Sequence, residues 1–145
     1  MCIFCEVVEG TTAAEIVLED EVAIAFLDHR PIFPGHTLLI PRAHHETLTD
    51  LPADLLEPLF RDARILAAAV RDAMGATGTF VAMNNKVSQS VPHLHVHVVP
   101  RNPKDGLRGF FWPRTQYSGD DEMTATAGKV RSASGAAGRD TLTRS

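Results

Sequence analysis

Histidine and aliphatic residues alternate without a break from His93 to Val98, and this run constrains the fold more than any other feature of the chain. Successive side chains of a β-strand point to opposite faces, so the run predicts a strand with histidines on one face and aliphatic residues on the other. The two sets are His93, His95 and His97, and Leu94, Val96 and Val98. Three imidazoles on one face are hard to explain by packing, and they indicate a chemical site.

Two kinds of chemistry fit such a face. Two histidines of a His-x-His strand can bind one metal ion together with a third ligand from elsewhere. All three cannot bind the same ion, because the outer pair would be about 13 Å apart in a straight strand. The alternative is nucleophilic catalysis, since imidazole has an unperturbed pKa of about 6.5 and is largely neutral at pH 7. The residues alone leave both readings open.

The rest of the chain predicts an α+β domain. Two apolar runs around an acidic turn within 16–28 indicate a hairpin, and the compact apolar runs 37–40 and 79–84 indicate two further strands. Together with a strand over 92–99 these make five strands. Between them, apolar residues recur every three or four positions over 52–74, which predicts one long helix. Strands joined by hairpins favour an antiparallel sheet.

The last 27 residues differ from the rest, because 16 of them are Gly, Ala, Ser or Thr. We therefore predict a domain over residues 1–118 and a tail over 119–145, in which a short helix around 121–131 precedes a disordered remainder. The net charge of −4 provides no basic footprint for nucleic acid. No apolar run is long enough to cross a bilayer and no signal peptide is evident, so we expect no membrane partner and a cytoplasmic location.

The two cysteines, Cys2 and Cys5, are three residues apart at the start of the chain. A CxxC pair in a reducing compartment is either a redox couple or half of a metal site. The redox interpretation expects a preceding strand, which the sequence lacks. Half of a zinc site is the better interpretation if two more ligands exist.

Several of these segments together resemble one known family. The run 93–99 is similar to the His-φ-His-φ-His-φ-φ signature of the histidine triad (HIT) superfamily, in which φ is an apolar residue. The segments 2–5, 26–28, 34–44 and 89–92 resemble the corresponding blocks of its zinc-containing bacterial members. The resemblance covers about residues 2–112 and implies a HIT-like fold, joined across a homodimer.

The resemblance also implies catalytic roles. His95 would be the nucleophile that attacks the α-phosphorus and forms a nucleotidyl-histidine, which water then hydrolyses. His97 would hydrogen-bond the phosphate or act as a general acid, and His36 would lie beside the nucleophile. Gln89 and Ser90 match positions that hold phosphate and bridging oxygens. The implied enzyme is a hydrolase or nucleotidyl transferase acting on dinucleoside polyphosphates such as diadenosine polyphosphates, or on purine nucleoside phosphoramidates.

A purine nucleotide pocket follows from the same resemblance. Asp28 matches the carboxylate that accepts hydrogen bonds from the ribose hydroxyls, and Asn84 (or Asn85) matches an asparagine near the ribose and phosphates. Four apolar residues match the walls of the base pocket: Ile3, Phe4, Val7 and Phe26.

A structural Zn²⁺ is the implied cofactor. Zinc-containing relatives add two histidines to the cysteine pair, so the matching ligands are Cys2, Cys5, His44 and His93. His45 could replace its neighbour His44. Such a Cys₂His₂ set closes a tetrahedron and leaves no open position for catalysis.

Two departures from the family pattern bear on function. The segment Lys86–Ser88 is shorter than the Gly-rich loop of many relatives, and Ser88 replaces a glycine that lets backbone approach phosphate. Three aromatic residues, Phe110–Trp112, could close over a nucleotide, seal a dimer interface or cap the sheet. A dinucleoside polyphosphate phosphorylase and a nucleotide-binding module with little turnover are the alternative functions.

Overall fold

The computed structural model describes residues 2–108 and 114–142, with side chains as far as residue 135. The elements in chain order are α1 (Ile3–Glu9), β1 (Ile16–Glu19), β2 (Ala23–Leu27), β3 (Thr37–Pro41), a 3₁₀ helix (Leu48–Asp50), α2 (Ala53–Ala73), β4 (Gly78–Ala82), β5 (Val96–Arg101) and α3 (Asp120–Leu142). The strands form one antiparallel sheet in the order β1-β2-β3-β5-β4. The predicted α+β fold with a five-stranded antiparallel sheet is confirmed.

Helix α2 covers one face of the sheet with the apolar stripe that its spacing predicts. Leu59, Ala63, Leu66 and Val70 are buried on this face. They belong to one core with the aliphatic residues of the alternating run, which are Leu94, Val96 and Val98. Because alternate side chains point to opposite faces, the histidines lie on the side of the sheet away from α2.

Helix α1 packs against that other side, and the sequence did not predict it. Phe4 and Val7 form a second core with residues of β2 and β3, namely Ile24, Phe26, Leu38 and Ile40. Cys2 is the N-cap of α1, and Gly10 ends the helix in the left-handed conformation, where glycine carries no steric cost. The CxxC pair thus lies at the start of a helix.

The histidine run differs from the prediction in its first half. β5 begins at Val96, so His97 lies in the strand while His93 and His95 precede it. The pairing of β3 with β5 stops at Leu39 and Val96. The residues before Val96 do not pair with β3. The Leu94 N–H instead donates a hydrogen bond of 2.7 Å to the carbonyl of His45, which lies in a loop.

The chain divides into two units, residues 1–106 and 107–145. In the second unit α3 extends to Leu142, beyond the short helix expected around 121–131. Three acidic residues, Asp120–Glu122, occupy its first turn, where they complement the helix dipole. The boundary at residue 118 stays a prediction, and Phe110–Trp112 lie outside the described residues. None of the described helices is both long and apolar enough to cross a membrane.

Candidate active site

Three imidazoles meet where β3 and β5 lie side by side. His36 immediately precedes β3, and its Nε2 is 2.9 Å from Nδ1 of His97 in β5. The rings of His95 and His97 are 5.0 Å apart, centroid to centroid. His36 and His95 are 2% and 3% exposed. The structure therefore brings the three predicted catalytic histidines together in one largely buried group.

Hydrogen bonds fix which nitrogen carries the proton in two of these rings. The backbone N–H of Ile32 donates to Nδ1 of His36 at 3.1 Å, so the proton of His36 is on Nε2. That Nε2–H donates to Nδ1 of His97, which leaves the proton of His97 on its own Nε2. A backbone amide of the loop before β3 thus determines the donor nitrogen of a histidine in β5.

Burial keeps the same two rings neutral. The pKa of His97 is lowered to about 4 by burial first and by the neighbouring His95 and His36 next, with Asp28 opposing the shift. Burial also lowers the pKa of His36, again opposed by Asp28. At neutral pH both rings are therefore uncharged hydrogen-bond donors through Nε2.

His95 has the opposite tautomer. Its Nδ1 is 2.7 Å from the backbone carbonyl of His93, and a carbonyl can only accept, so Nδ1 carries the proton. The lone pair of the neutral ring is then on Nε2. The ring packs edge-on against Phe4 at 5.2 Å, which restricts its rotation. A neutral imidazole with a fixed basic nitrogen suits a nucleophile.

Asp28 and Phe4 border this group, and Phe26 and Val7 pack with Phe4. Asp28 follows β2; its Oδ1 accepts the Arg30 N–H at 2.9 Å and its Oδ2 is 3.8 Å from Nδ1 of His36. Phe4 packs edge-on against Phe26 at 5.4 Å, and Val7 is buried with them. Ile3 is half exposed and lines a cavity of about 410 Å³ together with Cys2, Ser90, Val91 and Pro92.

Gln89, Asn84 and its alternative Asn85 form hydrogen bonds within the protein that hold a loop in place. The Gln89 amide accepts the Lys86 N–H at 2.8 Å and donates to the Glu46 carbonyl at 2.6 Å. Asn84 donates to the Ser88 carbonyl at 3.2 Å. The neighbouring Asn85 accepts the N–H of Leu48 at 2.8 Å. These amides are engaged with the protein itself.

The four predicted metal ligands form a second group beside the first. The donor atoms of Cys2, Cys5, His44 and His93 all lie within 4.8 Å of one another. Sγ of Cys2 is 3.5 Å from Nδ1 of His93, and Sγ of Cys5 is 3.4 and 3.6 Å from Nδ1 of His44 and His93. Zinc bonds of about 2.3 Å to sulfur and 2.0 Å to nitrogen give a tetrahedral S···N edge of about 3.6 Å. The donor set therefore fits zinc.

The tautomer of His93 agrees with that fit. Its Nε2 lies 2.8 Å from the carbonyl of Pro41 and must carry the proton, so the Nδ1 lone pair faces the two sulfurs. His45 is not part of the group. Among the described residues a second possible ligand group joins Asp28, His36 and His97, and neither group contains His95. An ion shared by His95 and His97 thus has no support.

Sequence reasoning missed the groups that set these tautomers. They are the N–H of Ile32 and the carbonyls of Pro41 and His93. Every residue has such backbone groups, so no residue type signals them in advance.

Comparison with known proteins identifies the family. The family model described as the HIT domain matches residues 9–104. The chain belongs to the HIT family. The crystal structure of a HIT family member from Bacillus subtilis matches with a TM-score of 0.82 and 31% identity over 90% of this chain and 95% of that one.

Two further HIT proteins bear on the site. The crystal structure of a Zn-bound histidine triad family protein from Mycobacterium smegmatis matches with a TM-score of 0.70 and 36% identity, covering 91% of this chain and 96% of that one. The adenylylsulfatase HINT3 of Arabidopsis thaliana is 29% identical over 73% of this chain, which spans 55% of that protein. HIT proteins typically act on nucleotides.

Proposed function

We propose that this HIT protein is a nucleotide hydrolase or nucleotidyl transferase that cleaves at the α-phosphate of purine nucleotide derivatives, with His95 as the nucleophile. The observation that carries the proposal is the 2.7 Å contact from Nδ1 of His95 to the carbonyl of His93, which leaves the Nε2 lone pair for attack. Substrates of this class are dinucleoside polyphosphates, nucleoside phosphoramidates and adenylyl compounds. The adenylylsulfatase name of one relative supports the last of these.

The reaction has two steps. The Nε2 lone pair of His95 forms a bond to the α-phosphorus, and the bond from phosphorus to the leaving group breaks with its electron pair going to the leaving group. Water then attacks the phosphorus, the P–N bond breaks, and a nucleoside monophosphate leaves. His95 regains its lone pair for the next turnover.

The neighbouring residues would bind and orient the substrate. His97 donates from Nε2 to a phosphate oxygen as a neutral ring, because its pKa of about 4 makes the imidazolium form scarce at pH 7. His36 holds His97 in that tautomer. The carboxylate of Asp28 would accept the ribose hydroxyls, and Ser90, on the cavity wall beside Ile3, would donate to phosphate.

Zinc would be held by Cys2, Cys5, His44 and His93. Bound there, it supplies four ligand bonds that tie α1 to the segment carrying the nucleophile, and its closed ligand set gives it a structural role. A reduced cysteine pair with a nucleotide substrate is consistent with a cytoplasmic protein. The Zn-bound relative supports the assignment of the metal.

We also propose a homodimer formed through β4. β1 and β4 are the edge strands of the sheet, and an unpaired edge can continue a sheet into a second copy. Val81 of β4 is exposed, and so are Leu56 and Phe60 of α2, which packs against β4. Sedimentation of Val81→Lys should give a monomer, whereas Val17→Lys on the other edge should leave the dimer intact.

The covalent intermediate gives the direct test of function. The protein would be mixed rapidly with an adenosine phosphoramidate or diadenosine tetraphosphate, quenched without acid, and weighed intact by mass spectrometry. Wild type and the control His29→Gly, which alters a largely exposed histidine outside the group of three, should gain one adenylyl group, and His95→Gly should gain none. Product formation that survives in His95→Gly would remove His95 as the nucleophile.

Product analysis separates the remaining alternatives. A phosphorylase would need inorganic phosphate as the second acceptor and would release a nucleoside diphosphate from a dinucleoside polyphosphate. A binding module would retain nucleotide without forming adduct or product. The proposed hydrolase releases the monophosphate with or without added phosphate.

A further inference from the structure

The loop between β4 and the histidine run has an unusual backbone. We call residues 84–89 the substrate loop, because it leads directly to Ser90. Lys86 and Ser88 have φ angles of 69° and 60°, the left-handed region that residues with a Cβ adopt rarely. Two such residues within three positions persist only where contacts outweigh the strain.

Three side-chain contacts join the substrate loop to one short segment. We call residues 44–48 the platform. Gln89 Nε2 donates to the platform carbonyl of Glu46 at 2.6 Å, and Asn85 accepts the Leu48 N–H at 2.8 Å. Lys86 Nζ forms an ion pair with the Glu46 carboxylate at 2.6 Å. The loop is thus fastened to the platform at three points.

The platform also contacts the metal group and the catalytic run. Its first residue, His44, is one of the four clustered metal ligands. The carbonyl of its second residue, His45, accepts the N–H of Leu94, immediately before His95. A movement of the platform would therefore displace the metal ligand His44, the segment before His95 and the substrate loop together.

Gln89 forms hydrogen bonds both within the substrate loop and to the platform. Its amide oxygen accepts the N–H of Lys86, one of the left-handed residues, while its amide nitrogen donates to Glu46. The amide oxygen and one of the two amide N–H groups of Gln89 are thus hydrogen-bonded within the protein. The second N–H has no part in these two bonds. The Lys86–Glu46 ion pair is exposed on both sides, and such pairs contribute little.

We propose that Gln89 is a positioning residue that fastens the strained substrate loop to the platform, so that zinc held by His44 orders the loop. The ordered loop should bind substrate more tightly, and this part of the proposal rests on the proposed function. Gln89 then acts through the loop conformation that presents Ser90, and it does not donate to the reacting phosphate.

Hydrogen–deuterium exchange tests the coupling without any substrate. Exchange of peptides covering residues 84–90 would be followed with zinc and after chelation, in wild type and in Gln89→Met, which keeps the length but not the hydrogen bonds. Zinc should slow loop exchange in wild type about fivefold to tenfold, about the effect of one or two hydrogen bonds, and less than twofold in Gln89→Met. Peptides from β2 and β3, unchanged throughout, exclude global unfolding.

A wild type that binds no zinc, or whose loop exchanges alike with and without zinc, overturns the coupling. An equal zinc effect in both proteins overturns the role of Gln89. The matched control is Asn102→Leu, because Asn102 likewise accepts a backbone N–H, that of Thr77, in a turn away from the platform. It should leave the zinc effect on the substrate loop as in wild type.

Kinetics add a second readout. Gln89→Met should raise KM for an adenosine phosphoramidate about fivefold to tenfold with kcat within threefold, because binding must then also order the loop. A fall in kcat of about a hundredfold with loop exchange unchanged would mark Gln89 as a transition-state donor and overturn the proposal. If wild type turns over no nucleotide, the proposed function fails, while the exchange experiment still decides the coupling.

Discussion

One buried carboxyl group in α2 gives a sharp prediction about stability. Asp62 is 5% exposed on the apolar face of the helix, and its Oδ2 is buried without a hydrogen-bond partner among the described residues. Burial first, and then a hydrogen bond and the charge of the adjacent Asp20 in the hairpin turn, raise the pKa of Asp62 to about 6. Of the two carboxyls, Asp62 is therefore the one that holds a proton more readily.

Asp20 is the charged member of the pair. Burial disfavours its ionisation, but hydrogen bonds from Asp62 and from the N–H groups of Val22 and Ala23 outweigh this and lower its pKa. The surrounding charges act in both directions. Arg61 lowers and Glu57 raises the pKa of Asp62, and Arg42 lowers that of Asp20.

The sign of the pH dependence follows from Asp62. Its pKa is higher in the folded than in the unfolded protein, so its stabilisation is complete below the unfolded pKa of about 4 and is lost as pH rises through about 6. A shift of about two units corresponds to about 3 kcal/mol. The lowered pKa of Asp20 has the opposite sign, but it changes stability mainly below about pH 4, so the loss from Asp62 prevails between pH 4 and 8.

Asp62→Asn removes this dependence, because the amide keeps the shape and donates to Asp20 at every pH. We expect the variant to exceed wild type in unfolding free energy by up to about 3 kcal/mol at pH 8 and to lose that advantage only as pH falls to about 4. Urea denaturation of both proteins at several pH values measures the difference. Metal binding also depends on pH, but its contribution to stability is the same in wild type and variant and cancels in their difference. Asp54→Asn, an exposed change in the same helix, is the control.

Parallel stability curves for wild type and Asp62→Asn from pH 4 to 8 would refute the reasoning. So would a variant that is less stable at pH 8. The first result would mean that Asp62 ionises in the folded protein as it does in the unfolded chain. The second would mean that an ionised Asp62 is itself stabilising.

The remaining predictions concern the histidines, the metal group and one glycine. Nitrogen-15 NMR at pH 7 should find the proton on Nε2 in His36 and His97 and on Nδ1 in His95, and His97 should not titrate between pH 5 and 8, since its pKa is about 4. Cys5→Ser should reduce bound zinc per chain and abolish the loss of Tm that a chelator causes in wild type. Gly35→Ala should destabilise by about 2–4 kcal/mol in denaturant titration, because φ is +95° and the new Cβ would lie 2.6 Å from Cγ of Met74. Gly10→Ala, at φ +76° with open space around it, isolates the backbone part and should cost about 1 kcal/mol.

Periodicity in the sequence was enough to predict the sheet, the long helix and the two faces of the histidine run. The reason is that burial selects residues at the spacing of each element. Leu59, Ala63, Leu66 and Val70 follow the helical period, and all four are buried against the aliphatic side of the run. The hairpin could also be predicted from its acidic turn. The Asp20 carboxylate closes that turn by accepting hydrogen bonds from two backbone N–H groups.

Periodicity could not reveal α1 or the hydrogen bonds of Gln89. Helix α1 has seven residues and two buried ones, Phe4 and Val7, too few to establish a period. The Gln89 amide has both donor and acceptor groups, and its partners depend on a loop path that two left-handed residues determine. The resemblance placed Gln89 at the phosphate, whereas here its side chain bonds the loop and the platform.

The three histidines of the run are the same residue in the same alternation, yet they differ in which nitrogen has the lone pair. His93 gives Nε2–H to the carbonyl of Pro41 and turns Nδ1 toward the cysteines. His95 gives Nδ1–H to a carbonyl and retains Nε2, while Nδ1 of His97 accepts from His36 and its Nε2–H remains a donor. One ring therefore suits a metal, one an attack on phosphorus and one a hydrogen bond to an oxyanion. The alternation brings the rings together, and the partner of a single nitrogen in each ring determines what that ring can do.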